Sequence, residues 1–133
     1  EPWQDKQRRL RQRLRRILPI DVHRPEPLGV PLRPPADALL SAFCLEAVSP
    51  DRAAFQRALT HVGNLLRPGG HAVLLGALGD ARLPVVPLRE SDVREALEAA
   101  GFELRELRSY AMPAALRTGV DDVDGVFFAH ARK

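Results

Sequence analysis

The sequence predicts an α/β fold with a largely parallel sheet, and two apolar segments with a helix between them carry that prediction. Residues 38–44 and 71–78 are almost entirely apolar, which is typical of strands buried on both faces of a parallel sheet. The residues between them follow a helical spacing, with apolar side chains at Phe55, Leu59, Val62 and Leu66. A strand, a helix and a second strand in that order form a parallel crossover.

The size and composition indicate one globular domain. A chain of 133 residues is long enough for one hydrophobic core, and a hydrophobic content of 45% is typical of a folded protein. No apolar run approaches the roughly 20 residues that span a bilayer, and residues 1–9 lack the apolar core of a signal peptide. Because Cys44 is the single cysteine, no intrachain disulfide can form, and we predict a reducing, cytoplasmic location.

The amino-terminal segments predict a basic helix followed by two less regular pieces. Glutamine, arginine and leucine favour a helix over residues 4–16, Pro19 ends it, and residues 17–22 fit a short strand. Five prolines then predict an irregular surface crossover. The predicted organisation is one partial domain in three parts, residues 1–23, 24–35 and an α/β core over 36–133.

The positive charge is concentrated at the amino terminus. Residues 1–16 hold seven basic and two acidic residues, a net charge of +5, whereas the whole chain carries +3. A helix face with this charge could bind nucleic acid or an acidic membrane. No aromatic residues are interleaved with the arginines, as single-strand binding would require. We therefore favour a solvated helix face and predict neither partner, with four apolar residues turned inward: Leu10, Leu14, Ile17 and Leu18.

Capping residues and glycines predict where the later elements begin and end. Ser49 is expected to cap the helix that Pro50 and Asp51 open, and Pro68-Gly69-Gly70 is expected to stop it. A third helix is expected to begin at Ser91-Asp92-Val93 and to end at Gly101. Four later segments complete the prediction: a short edge piece at 82–88, a strand with one wet face at 103–110, a loop at 111–122 and a last strand at 125–131.

Several kinds of site are not indicated by the sequence. The glycine pairs lack the spacing of a phosphate-binding loop. The four histidines have no metal-ligand spacing with one another or with Cys44, so no metal site is predicted. Cys44 has no nearby histidine in the sequence that could activate it as a nucleophile, so we predict that it is a buried structural cysteine. The histidines are His23, His61, His71 and His130.

Carboxylates are the stronger candidates for a functional site. Glu46 follows a predicted buried strand and should lie at the carboxyl edge of the sheet, where α/β folds bind ligands; alternatively, it stabilises a helix amino terminus. Asp121 and Asp122 precede the last strand and are either functional or turn residues. Asp21 ends the short strand, where it can accept a hydrogen bond from an adenine amino group while Val22 packs on the ring; otherwise it is a turn acid.

Two motifs resemble the nicotinamide, indolethylamine and phenylethanolamine N-methyltransferase family. They are Ser-Ala-Phe-Cys-Leu-Glu-Ala-Val-Ser-Pro-Asp at 41–51 and Thr-Gly-Val-Asp-Asp-Val at 118–123, supported by residues 18–23 and 65–70. They are more similar to the phenylethanolamine branch than to the nicotinamide branch. The resemblance implies the carboxyl-terminal half of a Rossmann-like class I S-adenosylmethionine methyltransferase sheet, with its last strand antiparallel between its neighbours. It also implies methylation of a small phenylethanolamine-type amine, as in the conversion of noradrenaline to adrenaline.

The resemblance assigns roles to individual residues. It implies cofactor contacts at Asp21, Val22, Ala42 and Cys44. It implies that Glu46 and Asp121 hold the substrate amine and its neighbouring hydroxyl, with Glu46 also catalytic because a protonated amine must lose a proton before it can attack a methyl group. The walls of the aromatic pocket are implied to be Phe43, Met112, Val123 and Val126.

Other parts of the family pattern have no counterpart in this sequence. The glycine-rich first crossover is missing, so we expect a fragment of a longer enzyme that is inactive alone. The loop after residue 78 is also several residues shorter than in the family, so the complete enzyme is expected to bind amines poorly or differently. A non-catalytic remnant that associates through the sheet edge at 38–44 is the alternative. A third hypothesis is that the chain binds nucleic acid through Arg9, Arg13 and Arg16. Retention on a heparin column would test it.

Overall fold

The computed structural model describes residues 1–79, 86–113, 115 and 123–133. Within these residues the chain forms three helices and four strands. In chain order they are α1 (Trp3–Arg13), β1 (Ala36–Ala42), α2 (Arg52–Gly63), β2 (Leu66–Leu78), α3 (Glu90–Ala99), β3 (Glu103–Ala111) and β4 (Gly125–Arg132). Among the described residues, no helix is long and apolar enough to cross a membrane.

The four strands form one sheet in the order β1-β2-β4-β3. β1 and β2 are parallel, whereas β4 is antiparallel to both of its neighbours. This confirms the prediction that the last strand is inserted antiparallel. It follows that β1, β2 and β3 run in the same direction, so their carboxyl ends lie at one edge of the sheet, beside the start of β4.

Helices α2 and α3 cover one face of the sheet and form the core. Phe55 and Leu59 of α2 and Leu97 of α3 are buried in the same cluster as Leu74 and Phe127 of the sheet. We call the side of the sheet that α2 and α3 cover the helix-covered face. Alternate residues of the strands point to the opposite face, which we call the outer face.

The prediction that the first strand is buried on both faces is wrong. β1 begins at Ala36, two residues earlier than predicted, and lies at the edge of the sheet. Its outer face carries Leu40, which is 70% exposed. An apolar run alone does not distinguish a central strand from an edge strand, because both are rich in the same residues.

The amino-terminal segment is less packed than the sequence predicts. Helix α1 ends three residues before the predicted limit and buries no residue, and its expected inward-facing side chains are exposed: Leu10, Leu14, Ile17 and Leu18. The predicted strand at 17–22 is irregular. A strand needs a neighbouring strand with which to form a ladder of hydrogen bonds, and no strand in the described part of the chain pairs with this segment. The N–H of Asp21 donates instead to the carbonyl of Pro27.

Both limits of α2 differ from the prediction. Asp51, not Ser49, is the N-cap, and its side chain accepts a hydrogen bond from the backbone N–H of Ala54 at 2.7 Å. Ser49 is buried and donates to the carbonyl of Leu45 at 2.7 Å. The helix ends at Gly63 and β2 already begins at Leu66, so the proline and glycines predicted as a helix stop lie inside the strand.

The third helix agrees closely with the prediction. It begins one residue earlier, at Glu90, and Gly101 follows it with a positive φ of 87°, the conformation that favours glycine after a helix. Beyond β2, Gly79 pairs with Leu88, at the end of the predicted edge piece. The rest of that piece and most of the predicted loop at 111–122 lie outside the described residues.

Candidate functional site

Most of the predicted site residues that the structure describes lie at the carboxyl edge of the sheet. β1 ends at Ala42, immediately before Phe43, Cys44 and Glu46. Met112 follows β3 directly, and Val123 and Val126 lie on either side of the start of β4. Asp121 and Asp122 lie outside the described residues. The topology therefore brings to one end of the sheet residues as far apart in the sequence as Phe43 and Val126.

Glu46 is the most unusual residue at this edge. Its side chain is only 3% exposed, and its Oε1 atom has no hydrogen-bond partner among the described residues. Burial raises the pKa of Glu46 to about 7, against the opposing effect of hydrogen bonds from its own backbone and that of Ala77. Near neutral pH this carboxyl group can hold or release a proton, which suits a general base.

Gly76 of β2 provides the space that Glu46 occupies. A Cβ atom at position 76 would lie 2.4 Å from Oε2 of Glu46 and 2.5 Å from a ring carbon of Phe127. Neither contact is compatible with van der Waals radii, so position 76 must be glycine for this packing. The sequence pattern did not predict Gly76 or Ala77 as site residues, because only the pairing of the strands brings them next to Glu46.

We expect Gly76→Ala to destabilise the fold by about 1–3 kcal/mol, the usual cost of overpacking a core. Chemical denaturation of the chain measures this change. The matched control repeats the substitution in a Glu46→Ala background, where one of the two clashes is absent and the cost should be smaller. An equal cost in both backgrounds would mean that Glu46 does not occupy the space at position 76.

The turn after β1 exposes three of the predicted site residues. Phe43 has a positive φ of 53°, an uncommon conformation for a bulky residue that often marks functional sites. Its N–H donates to the carbonyl of Leu75 at 2.8 Å, which fixes the turn against β2. Ala42 and Cys44 are also exposed. The prediction that Cys44 is a buried structural cysteine is therefore wrong, since it is an exposed free thiol.

Asp21 and Val22 belong to a segment that is tied to Val48 and to helix α2. A ring nitrogen of His23 donates to the carbonyl of Val48 at 2.7 Å, and a ring nitrogen of His61 on α2 donates to the carbonyl of Val22 at 2.8 Å. Val22 is buried, whereas Asp21 is exposed. The Asp21 carboxylate accepts from the N–H of His23 at 3.0 Å, a local hydrogen bond that turn acids often make.

The far side of the edge is formed by the ends of β3 and β4. Met112 and Val126 are half-buried, and the N–H of Met112 donates to the carbonyl of Asp124 at 2.8 Å. An open depression of about 380 Å³ lies here, between the end of β2, the start of α3 and the end of β3. Its lining includes Arg89 and Tyr110, which the sequence pattern did not single out.

Comparison with solved structures identifies the class of fold. The [4+2]-cyclase SpnF aligns with a TM-score of 0.68 and 20% identity over 96% of this chain and 58% of its own. The N-methyltransferase NodS from Bradyrhizobium japonicum, solved with S-adenosyl-L-homocysteine, aligns with a TM-score of 0.58 and 20% identity over 85% of this chain and 51% of its own. The fold is that of the S-adenosylmethionine-dependent methyltransferases.

Sequence comparison identifies the family. The profile of the NNMT/PNMT/TEMT family matches residues 1–133, and the chain belongs to that family, whose cofactor is S-adenosylmethionine. It is 63% identical to human phenylethanolamine N-methyltransferase over all of this chain and 50% of the relative. It is 34% identical to human nicotinamide N-methyltransferase over 97% of this chain and 51% of the relative. The chain thus spans about half the length of the curated relatives it matches.

Proposed function

We propose that this chain forms the carboxyl-terminal half of an S-adenosylmethionine-dependent N-methyltransferase that acts on a phenylethanolamine-type amine, as in the conversion of noradrenaline to adrenaline. The observation that carries the proposal is Glu46, a buried carboxyl group whose pKa is about 7, at the sheet edge where α/β folds bind ligands. The identity of 63% with human phenylethanolamine N-methyltransferase supports the substrate class. We place the protein in the cytoplasm.

The chain supplies a surface that fits one end of the cofactor. S-adenosylmethionine, when bound, supplies a methyl group on a positively charged sulfur. We assign its adenine end to Asp21 and Val22, and further contacts to Ala42 and Cys44. Two observations support this assignment: the histidine hydrogen bonds hold residues 21–23 against Val48 and helix α2, and Ala42 and Cys44 are exposed at the turn after β1.

The role we assign to Glu46 follows from the charge of the substrate. A phenylethanolamine is protonated at neutral pH, and its nitrogen has no lone pair for attack until it loses that proton. An ionised Glu46 can bind the cation and accept the proton. The same carboxylate fixes the position of the nitrogen, and correct positioning supplies much of the acceleration in a reaction of two substrates.

Four residues would enclose the aromatic ring of the substrate. Phe43, Met112, Val123 and Val126 lie at the same edge of the sheet, and all are at least partly exposed. Apolar side chains with a few convergent polar groups are typical of small-molecule sites. We assign Asp121 to the hydroxyl group beside the amine, on the strength of the family motif at 118–123.

A chimera tests the proposal. This chain would replace the matching region of human phenylethanolamine N-methyltransferase, with which it shares 63% identity. We expect the chimera to transfer a methyl group from S-adenosylmethionine to phenylethanolamine. A folded chimera that binds the cofactor but methylates no phenylethanolamine would contradict the proposal. The 133-residue chain alone should bind S-adenosylmethionine weakly in a calorimetric titration, and micromolar affinity would contradict its assignment as half of a site.

In the same chimera, we expect Asp121→Asn to raise the KM for a phenylethanolamine roughly tenfold or more with little change in kcat. A charge-assisted hydrogen bond to the substrate contributes about 1.5–3 kcal/mol, of which the neutral amide retains part. Steady-state kinetics with the substrate varied measures the effect. Asp122→Asn is the matched control, and an equal rise of KM in that variant would show that the effect is not specific to Asp121.

Association without catalysis is the second candidate, and the exposed edge of the sheet favours it. β1 lies at the edge, and its Leu40 is 70% exposed. Unprotected edge strands with apolar side chains tend to pair with another chain. If β1 mediates self-association, sedimentation velocity should show a concentration-dependent dimer that Leu40→Lys abolishes and that Leu10→Lys, a control on exposed α1, leaves intact. A monomer at all concentrations would exclude this candidate.

A further inference from the structure

Two histidines from distant parts of the sequence meet on the outer face of the sheet. In the strand register, Val73 of β2 lies opposite His130 of β4, and His71 lies opposite Arg132, so the two histidines are diagonal neighbours. The Nδ1 atom of His71 and the Nε2 atom of His130 are 2.9 Å apart. The ring centroids are 5.1 Å apart, and the ring planes differ by 30°.

The pair is open to solvent. His71 is exposed and His130 is half-buried, and the pair lies beside the middle of β2, away from the carboxyl edge that holds Glu46. Neither ring makes another hydrogen bond within the described part of the chain. Water and dissolved ions can therefore reach the nitrogen atoms that face each other.

The distance between these nitrogens is close to what a metal ion requires. A tetrahedral ion bound at the usual 2.0–2.1 Å holds two imidazole nitrogens roughly 3.3 Å apart. The observed 2.9 Å differs from this by a few tenths of an ångström, which exposed rings can supply by rotating about their side-chain torsions. Imidazole nitrogen is a preferred ligand of zinc, copper and nickel ions.

A metal ion can bind the neutral histidine pair without any net release of protons. One of the two facing nitrogens carries the proton that forms the hydrogen bond. When a metal ion binds, solvent moves that proton to the other nitrogen of the same ring, and both facing lone pairs become ligands. The N–H on the far side of each ring then contacts water.

The surrounding charges are mixed. Glu106 of β3 lies opposite His130 and is paired with Arg108, while Arg132 lies opposite His71. Within the described residues, no group of three histidine, cysteine or acidic side chains could hold a metal ion. Water must therefore complete the coordination, which makes the ion exchangeable.

We propose that His71 and His130 form a two-histidine surface site for a divalent transition-metal ion of the zinc and copper type. The two histidines are separated by 59 in residue number, which is not a recognisable metal-ligand spacing, and only the pairing of β2 with β4 creates the site.

Calorimetric titration of the 133-residue chain with Cu²⁺ in a non-coordinating buffer tests the proposal, because copper binds nitrogen ligands most tightly among these ions. We expect His71→Gln and His130→Gln each to weaken the tightest site at least tenfold, and the double variant to be no weaker than either single variant. His23→Gln, which alters an exposed histidine elsewhere, should leave the affinity unchanged. The proposal fails if either single variant keeps the wild-type affinity, or if His23→Gln weakens binding as much.

Discussion

Replacing Glu46 with glutamine in the chimera is expected to lower kcat/KM for a phenylethanolamine by about one to two orders of magnitude. Glutamine has nearly the same shape but neither carries the charge that binds the ammonium group nor accepts its proton. The loss of a charge-assisted hydrogen bond, worth about 1.5–3 kcal/mol, corresponds to this change in rate. Steady-state kinetics at pH 8, where the wild-type carboxyl group is ionised, measures it.

The pH dependence of the reaction distinguishes a base from a structural acid. With a pKa of about 7, Glu46 ionises between pH 6 and 8, so kcat/KM should rise across this range and Glu46→Gln should remove that rise. Glu103→Gln, which changes an exposed acid on β3, is the control and should keep both the rate and the profile. Wild-type kinetics in Glu46→Gln from pH 7 to 9 would show that the carboxylate is not part of the site.

The same substitution should alter the pH dependence of stability. Glu46 has a raised pKa in the folded state, about 7 against an ordinary value of 4.5, so the folded state binds the proton more tightly than the unfolded state. Its contribution to stability is present below pH 4.5 and is lost as the pH rises through 7. The wild-type free energy of unfolding should therefore fall by roughly 3 kcal/mol between pH 4.5 and pH 8 because of Glu46. In Glu46→Gln this part of the fall should be absent, as urea denaturation at the two pH values would show. An unchanged difference between the two pH values would contradict the raised pKa.

Phe55→Ala is expected to have the largest effect on stability, about 3–5 kcal/mol. Phe55 is 1% exposed and joins α2 to the sheet in the core cluster. Truncation removes its apolar contacts and leaves a cavity that the surrounding side chains fill only in part. Because small domains are stable by only about 5–15 kcal/mol, this variant should be close to unfolded at 37 °C, as urea denaturation would show.

Phe43→Ala is the matched control for Phe55→Ala. Phe43 is 53% exposed, so the same chemical change should cost little stability. Its effect should instead appear as a higher KM for the aromatic amine in the chimera, since we assign Phe43 to the pocket wall. If Phe43→Ala destabilises the chain as much as Phe55→Ala, then Phe43 belongs to the core and not to the pocket.

The parts of the fold that the sequence predicted are those with local signals. The helical spacing of Phe55, Leu59 and Val62 predicted α2, and Gly101 marked the end of α3. Where two local signals conflicted, the prediction failed. Pro68-Gly69-Gly70 reads as a helix stop, yet these residues extend β2, because the end of the chain pairs with them: the N–H of Gly69 donates to the carbonyl of Lys133, and the N–H of Lys133 to the carbonyl of Gly70.

Features that depend on contacts between distant residues were not predictable in this way. The position of Glu46 at the sheet edge followed from the strand that precedes it, but its burial depends on Gly76 and Phe127. The exposure of Cys44 depends on the backbone turn at Phe43. The pairing of His71 with His130 depends on the antiparallel insertion of β4. Each of these requires the register of the sheet, which apolar periodicity alone does not determine.

Carbon-13 NMR of the Glu46 carboxyl group is the most direct test of whether this residue binds the substrate amine. The chimera would be labelled at glutamate, with Glu46→Gln used to assign the signal, and titrated with pH in the absence and presence of phenylethanolamine. We predict a midpoint near 7 in the free protein and a lower midpoint with the amine bound, because a neighbouring positive charge favours the ionised carboxylate. A midpoint near 4.5, or one that saturating amine does not move, would show that Glu46 does not bind the amine.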